Sequence, residues 1–184
     1  FLLSVGELSD RKNHVVVIEA MKQLVQRHPQ LRYFICGQGE KKQELQQLIR
    51  KYHLEDHVKL LGFRTDVAEL CQAADVFVFP SKQEGLPVAL MEAMALGVPC
   101  ISTDCKGGGA RFLIKNGTNG LLTPIGDVEA LQTAMEKILS DQFFADNLSH
   151  NAHKLCETHS PEKIYAEWEN LIKKVVCLQP SDKK

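Results

Sequence analysis

Two carboxylates eight residues apart, Glu84 and Glu92, frame the start of a helix. Glu84 follows the apolar run Val76–Phe79, then come Gly85, Leu86 and Pro87, and Glu92 lies about two turns further on. Acids at a helix N-terminus are ordinarily surface groups favoured by its dipole. Glu92, however, stands between Met91 and Ala93-Met94-Ala95 in a segment apolar almost all round, which predicts a partly buried charge. A buried carboxylate is costly unless hydrogen-bonded. Vicinal hydroxyls of a sugar or ribose offer two donors that one carboxylate can accept together. The buried-charge argument therefore favours a ligand role for the pair over a plain surface role.

Lys12 adds a compact cation near the start of the chain, and glycines and small hydroxyl residues recur beside it. Gly6 and Glu7 follow one apolar run, Gly37-Gln38-Gly39 a second and Gly62-Phe63-Arg64 a third; residues 81–85 and 102–109 follow two more. In an open parallel sheet such loops gather outside the carboxyl ends of the strands, where helix amides are free to meet an anion. The amides around Leu86, Pro87 and Val88 open a helix toward the same space. Turns also need glycine, so composition leaves an anion site and ordinary turn chemistry both open.

These loops require a βα alternation to position them. Short β-branched or aromatic runs alternate with longer amphipathic ones, predicting an α/β fold with a parallel sheet of six strands at 1–6, 31–36, 58–61, 75–80, 99–103 and 120–122. Asn13 caps a helix that Pro29 stops. Leu45, Leu48, Ile49 and Tyr52 share one helical face, and Thr65 or Asp66 caps a short third helix. Pro87 opens a helix that Gly97 ends. After Pro124 the chain reads as helical, with caps at Asp127 and Asp141 and a terminal helix from Ser160-Pro161 toward Val176. Residues 179–184 read as a disordered tail.

Composition narrows the function classes. The 184 residues suit one domain. A net charge of −1 provides no global field for nucleic acid or anionic lipid. No apolar run approaches the roughly 20 residues of a membrane helix, and residues 1–6 do not form an export signal. Six cysteines without a C-x-x-C read as reduced thiols of a cytosolic domain.

The segments Val5-Gly6-x-Leu8-Ser9-x-x-Lys12, Gly37-x-Gly39, Val58-x-Leu60-Leu61-Gly62, Phe79-Pro80-Ser81-x-x-Glu84-Gly85-Leu86-Pro87-x-x-Leu90-x-Glu92-Ala93-Met94-Ala95-x-Gly97-x-Pro99 and Asn116-Gly117-x-Asn119-Gly120-Leu121-Leu122 together resemble the C-terminal half of a family 4 glycosyltransferase of the GT-B fold. The resemblance implies a Rossmann-like donor domain over 1–178, with an acceptor-binding N-terminal half outside this sequence and a first strand that begins at the interdomain linker. It implies a retaining transferase using a nucleotide-diphosphate sugar of UDP or GDP type and no metal or other cofactor, acting on a glycan or lipid-linked acceptor. The isolated domain would be inactive. The full protein is expected in the cytoplasm, touching the membrane only peripherally through the other half.

The same resemblance assigns Glu84 to the donor sugar, Glu92 to the ribose and Lys12 to the diphosphate, with Gly6, Gly37, Gly62, Phe63, Arg64, Gly85, Leu86, Pro87 and Val88 lining the donor. The segment Gly62-Phe63-Arg64 would meet the base mainly through its backbone. Two positions depart from the pattern. Many relatives carry an arginine at Glu7, forming a clamp with the lysine; here only Lys12 matches, with Arg11 expected to point elsewhere. Many carry an acid at Phe112, so contacts from loop 107–112 are not carried over. The loop variants are similar to those of capsular and exopolysaccharide transferases. A sugar-nucleotide epimerase of the same architecture, or a non-catalytic nucleotide-binding module, stays open as an alternative.

Other features have plainer readings. His53 and His57 stand four apart but flank a helix end, so a metal role is not expected. His28, His150 and His153 read as solvated, and Cys105 has no evident base partner. Tyr165, Trp168, Leu171 and Ile172 form an apolar stripe that packs either on this domain or, as the resemblance implies, on the other half.

Overall fold

The computed structural model describes residues 1–177, so the tail expected at 179–184 lies outside the described residues. Six strands form one parallel sheet: β1 (Leu2–Val5), β2 (Tyr33–Cys36), β3 (Val58–Gly62), β4 (Val76–Phe79), β5 (Cys100–Thr103) and β6 (Leu121–Thr123). Their spatial order is β3-β2-β1-β4-β5-β6. The chain steps outward from β1 in one direction through β3, then returns to the other side of β1 and steps outward again. The reversal point lies between β1 and β4, where Leu2 pairs with Val76 and Leu3 with Phe77.

Strand alternation separates two apolar layers. Leu2, Tyr33, Ile35, Val76, Val78 and Ile101 face α1 (His14–Arg27), α2 (Lys42–Lys51) and α6 (Val128–Ser140), while Leu3, Cys36, Phe77, Phe79 and Cys100 face α3 (Val67–Gln72), α4 (Val88–Ala95) and α5 (Gly109–Leu113). All six expected strands are present. The caps at Asp127 and Asp141 form, each carboxylate accepting a backbone N–H at 2.9 Å, from Ala130 and Phe144. Asn13 occupies its expected N-cap position but in a left-handed conformation without a side-chain cap.

Two short helices lie outside the sequence reading: α5, beginning within a glycine run, and α8 (Leu155–Thr158), which follows α7 (Gln142–His153). His150 and His153 are exposed, as expected, but two of the histidines also have partners. His28 Nε2 is 2.9 Å from Glu136, and His153 Nδ1 is 2.6 Å from the Ala95 carbonyl at the end of α4. Both rings sit where helices pack together, which periodicity within a single helix does not show. The last helix, α9 (Pro161–Cys177), leaves Tyr165, Trp168, Leu171, Ile172, Val175 and Val176 exposed.

A buried polar chain crosses the centre of the sheet. Ser4 Oγ donates to the Val78 carbonyl at 2.5 Å, Tyr33 Oη donates to Ser4 Oγ at 2.9 Å, and His14 Nδ1 lies 3.4 Å from Tyr33 Oη. His14 Nε2 lies 3.3 Å from the Glu7 carbonyl, so the ring fastens the β1–α1 loop to the core. Burial pushes the His14 pKa from 6.5 to about 4. As pH falls from 6.5 toward 4, an unfolded chain takes up a proton that the folded chain refuses, so stability falls in that window. The loss at the acid end is about 3 kcal/mol. Urea titrations between pH 7 and 4.5 should show His14→Gln less stable at neutral pH but with a shallower acid slope; an unchanged slope would remove His14 as its origin.

Candidate donor-binding site

Strand β1 ends at Val5, and the chain crosses Gly6 into a loop that turns back at residues 10–12. Lys12 folds over Gly6 so closely that a Cβ there would lie 3.2 Å from Lys12 Cε. Its ammonium stands 4.6 Å from the centroid of the Phe79 ring at the end of β4 and 2.9 Å from Glu84 Oε1. One flexible cation is thereby fixed at the reversal point of the sheet. Lys12 and Glu84 are both largely withdrawn from water, with side chains 13% and 12% exposed.

Glu84 is held from behind by the loop after β5. Its N–H donates to the Lys106 carbonyl at 2.9 Å, and the Lys106 N–H donates to the Lys82 carbonyl at 3.0 Å. Gly107 closes this contact at φ 96°, where an added Cβ would lie 2.2 Å from the Glu84 carbonyl oxygen. Arg11 also reaches Glu84, Nη1 contacting the same Oε1. Its expected orientation away from the site is therefore corrected. Successive side chains diverge in extended backbone, but the turn over 10–12, with Asn13 N–H on the Ser9 carbonyl at 3.3 Å, swings Arg11 and Lys12 to one side.

The remaining loops line up along the same strand ends. Gly6 N–H donates to the Cys36 carbonyl at 2.9 Å, and Gly37 N–H to the Gly62 carbonyl at 2.8 Å. Gly37 has φ 149°, and a Cβ there would collide with Gly6 O at 1.8 Å, so a side chain cannot fit between these loops. Phe63 projects outward, 73% exposed. Arg64 is paired with Asp66, its Nε donating at 2.8 Å, and therefore does not stand as a free cation. Beyond the exposed Gly85 and Leu86, Pro87 caps α4, whose first internal bond runs from Leu90 N–H to the Pro87 carbonyl at 3.0 Å. The N–H groups of Val88 and Ala89 precede that bond and face the loop.

Glu92 departs from the sequence expectation of a partly buried charge: it is exposed. Helix α4 buries only the stripe of Leu90, Ala93 and Met94, and its other side forms the floor of a groove of about 420 Å³. Leu86, Val88, Met91 and Ala95 make that floor apolar, and Glu92 puts a carboxylate on it. Glu92 also faces α3, where its charge adds to burial in lifting the Cys71 thiol to about 11. The structure thus gathers Lys12, Glu84, Gly6 and Arg11 into one cluster, and Leu86, Val88 and Glu92 into an adjoining groove that does not include Glu84. Periodicity missed Phe79, Lys106 and Gly107 as supports of the cluster, since their roles depend on which strands become neighbours.

Among the described residues, no group of three or more His, Cys, Asp or Glu side chains is placed to hold a metal ion, and no helix is long and apolar enough to cross a membrane. Five cysteines, Cys36, Cys71, Cys100, Cys105 and Cys156, are free thiols.

Residues 1–155 match the family model for glycosyl transferases group 1. The putative colanic acid biosynthesis glycosyltransferase WcaL of Escherichia coli K12 is 40% identical over 138 residues, 71% of this chain and 34% of that protein. The amylovoran biosynthesis glycosyltransferase AmsK of Erwinia amylovora is 37% identical over 145 residues, 74% of this chain and 35% of that protein. The crystal structure of Anabaena HepE in complex with UDP superposes with a TM-score of 0.88 at 26% identity, covering 95% of this chain and 49% of HepE. The chain thus spans half or less of the length of these similar proteins. On the family match and the GT-B architecture it shares with such transferases, the chain belongs to the group 1 glycosyl transferases.

Proposed function

We propose that this domain holds the donor of a retaining glycosyltransferase, a nucleotide-diphosphate sugar, for transfer to a glycan or lipid-linked acceptor in polysaccharide synthesis. The observation that carries this reading is the Lys12–Glu84 pair at 2.9 Å, set on the strand ends where the sheet reverses. A fixed cation there meets a diphosphate, and the carboxylate beside it can accept from sugar hydroxyls next to the reacting carbon. Glu92, exposed on the α4 groove, is free to accept both ribose hydroxyls. Complexes of HepE with UDP and with UDP-glucose make a UDP sugar the first donor to test. The retaining outcome follows the resemblance carried by Glu84-x7-Glu92, and the anomeric configuration of product made by the complete protein tests it.

The acceptor belongs to a further domain in this reading. Similar proteins are about twice as long, and the exposed α9 stripe of Tyr165, Trp168 and Ile172 is apolar surface suited to packing on that domain. The domain works in the cytoplasm, at the inner face of the membrane where lipid-linked acceptors lie. The free thiols accord with that compartment.

Calorimetry on the two acids tests the site. Glu92→Gln should cost about 1.5–3 kcal/mol against the nucleotide diphosphate and abolish its preference over the 2′-deoxy analogue. Glu84→Gln should instead lower the affinity of the nucleotide sugar relative to that of the nucleotide diphosphate. Equal losses for all three ligands in both variants would make the acids structural.

Metal dependence gives a second check. Lys12 and the α4 amides supply positive charge to the diphosphate, so EDTA should leave donor binding unchanged, while Lys12→Ala should weaken nucleotide diphosphate far more than free nucleoside. Loss of binding in EDTA with recovery in magnesium would overturn this. The chain alone should bind donor without transferring sugar to any acceptor; sustained turnover would refute the two-domain reading.

A further inference from the structure

Two cations share one carboxylate oxygen, and they are not equivalent. Lys12 is pinned by Gly6 beneath its stem and by the Phe79 ring. Arg11 is anchored through its backbone, where its carbonyl accepts from Lys82 N–H at 2.8 Å. Its side chain is 46% exposed and arches over Glu84, with Nη1 also 3.3 Å from the Gln83 carbonyl.

The cations nearest Glu84 are already paired. Arg11 and Lys12 share its Oε1, and Lys82 is engaged by both oxygens of Asp10 at 2.9 Å. A diphosphate brings at least two further negative charges to these paired cations. It must draw a cation away from its present carboxylate. Arg11 can leave by side-chain rotation alone, and its planar fork matches two phosphate oxygens at once.

We propose that Arg11 is a second diphosphate-binding residue: it rests on Glu84 and transfers its guanidinium to the phosphate oxygens as the donor binds, releasing the Glu84 carboxylate toward the sugar. The proposal rests on the nucleotide-sugar reading and specifies its phosphate subsite. No covalent bond changes; one ion pair is exchanged for another. Arg11 supplies the second positive charge that Glu7 denies to this loop, and it couples phosphate recognition to the freeing of the sugar-directed acid.

Calorimetry with the tightest of UDP, GDP and ADP, and with its nucleoside, tests this on wild type, Arg11→Ala, Arg11→Lys, Glu84→Gln and the Arg11→Ala/Glu84→Gln double variant. Arg11→Ala should weaken the diphosphate at least tenfold and the nucleoside less than twofold. Arg11→Lys, which keeps the charge but not the fork, should fall between and serves in its place should Arg11→Ala melt early. Glu84→Gln should strengthen the diphosphate several-fold, and by less once Arg11 is gone. If Arg11→Ala, or Arg11→Lys in its place, binds the diphosphate as tightly as wild type while Lys12→Ala does not, the proposal falls and the donor reading stands. If wild type binds none of the three diphosphates more tightly than their nucleosides, the donor reading falls and the proposal with it.

Discussion

The Glu84 carboxylate is largely withdrawn from water, and a charge in that position must be met by charge. Much of the surrounding loop structure follows from that requirement. Gly6 leaves room for the lysine stem, Phe79 offers a ring face to its ammonium, and the turn after Asp10 brings a guanidinium to the same oxygen. Behind the acid, Lys106 and Gly107 fix its backbone from the next strand. The ion pair does not account for the stability of the domain, which comes from two apolar layers on either face of the sheet. It fixes where positive and negative charge stand relative to each other at the sheet edge.

The elements were legible in the sequence because each leaves a local trace. Short β-branched or aromatic runs, most of them continuously apolar, marked the six strands, and Asp127 and Asp141 marked two helix starts that form as read. Glu84 and Lys12 were legible as individual residues, yet their contact was not, since it joins loops 72 positions apart and depends on β1 lying beside β4. Glu92 was misread for a related reason. A helix of eight residues with alanine and methionine on every side gives little sign of which stripe is covered, and packing chose Leu90, Ala93 and Met94. The short helices α5 and α8 escaped because a single turn has no period to detect.

The two acids consequently have different environments, and those environments differ as their assigned partners do. Glu84 is ion-paired beside the lysine, whereas Glu92 lies open on a floor of aliphatic side chains. An acid that accepts from a ligand hydroxyl can discriminate it from a hydrogen, because a charged acceptor loses a bond when the hydroxyl is missing. The histidine that binds the Ala95 carbonyl and the serine that donates to the Gly97 carbonyl, His153 and Ser149, tie the far end of the same helix to α7. The groove floor is thereby braced at the end away from the loops.

The reversal of the sheet between β1 and β4 also sets an order of assembly. The first strand of this domain becomes a central one, and its partner on one side is 74 positions further along. On the ribosome, β1 can pair with β2 early, but its other edge waits with unmatched amides and carbonyls until residue 76 has emerged. The cluster around Glu84 cannot form before that edge is closed. The binding-competent edge of the domain therefore depends on a pairing between residues 74 positions apart, which no local segment can form by itself.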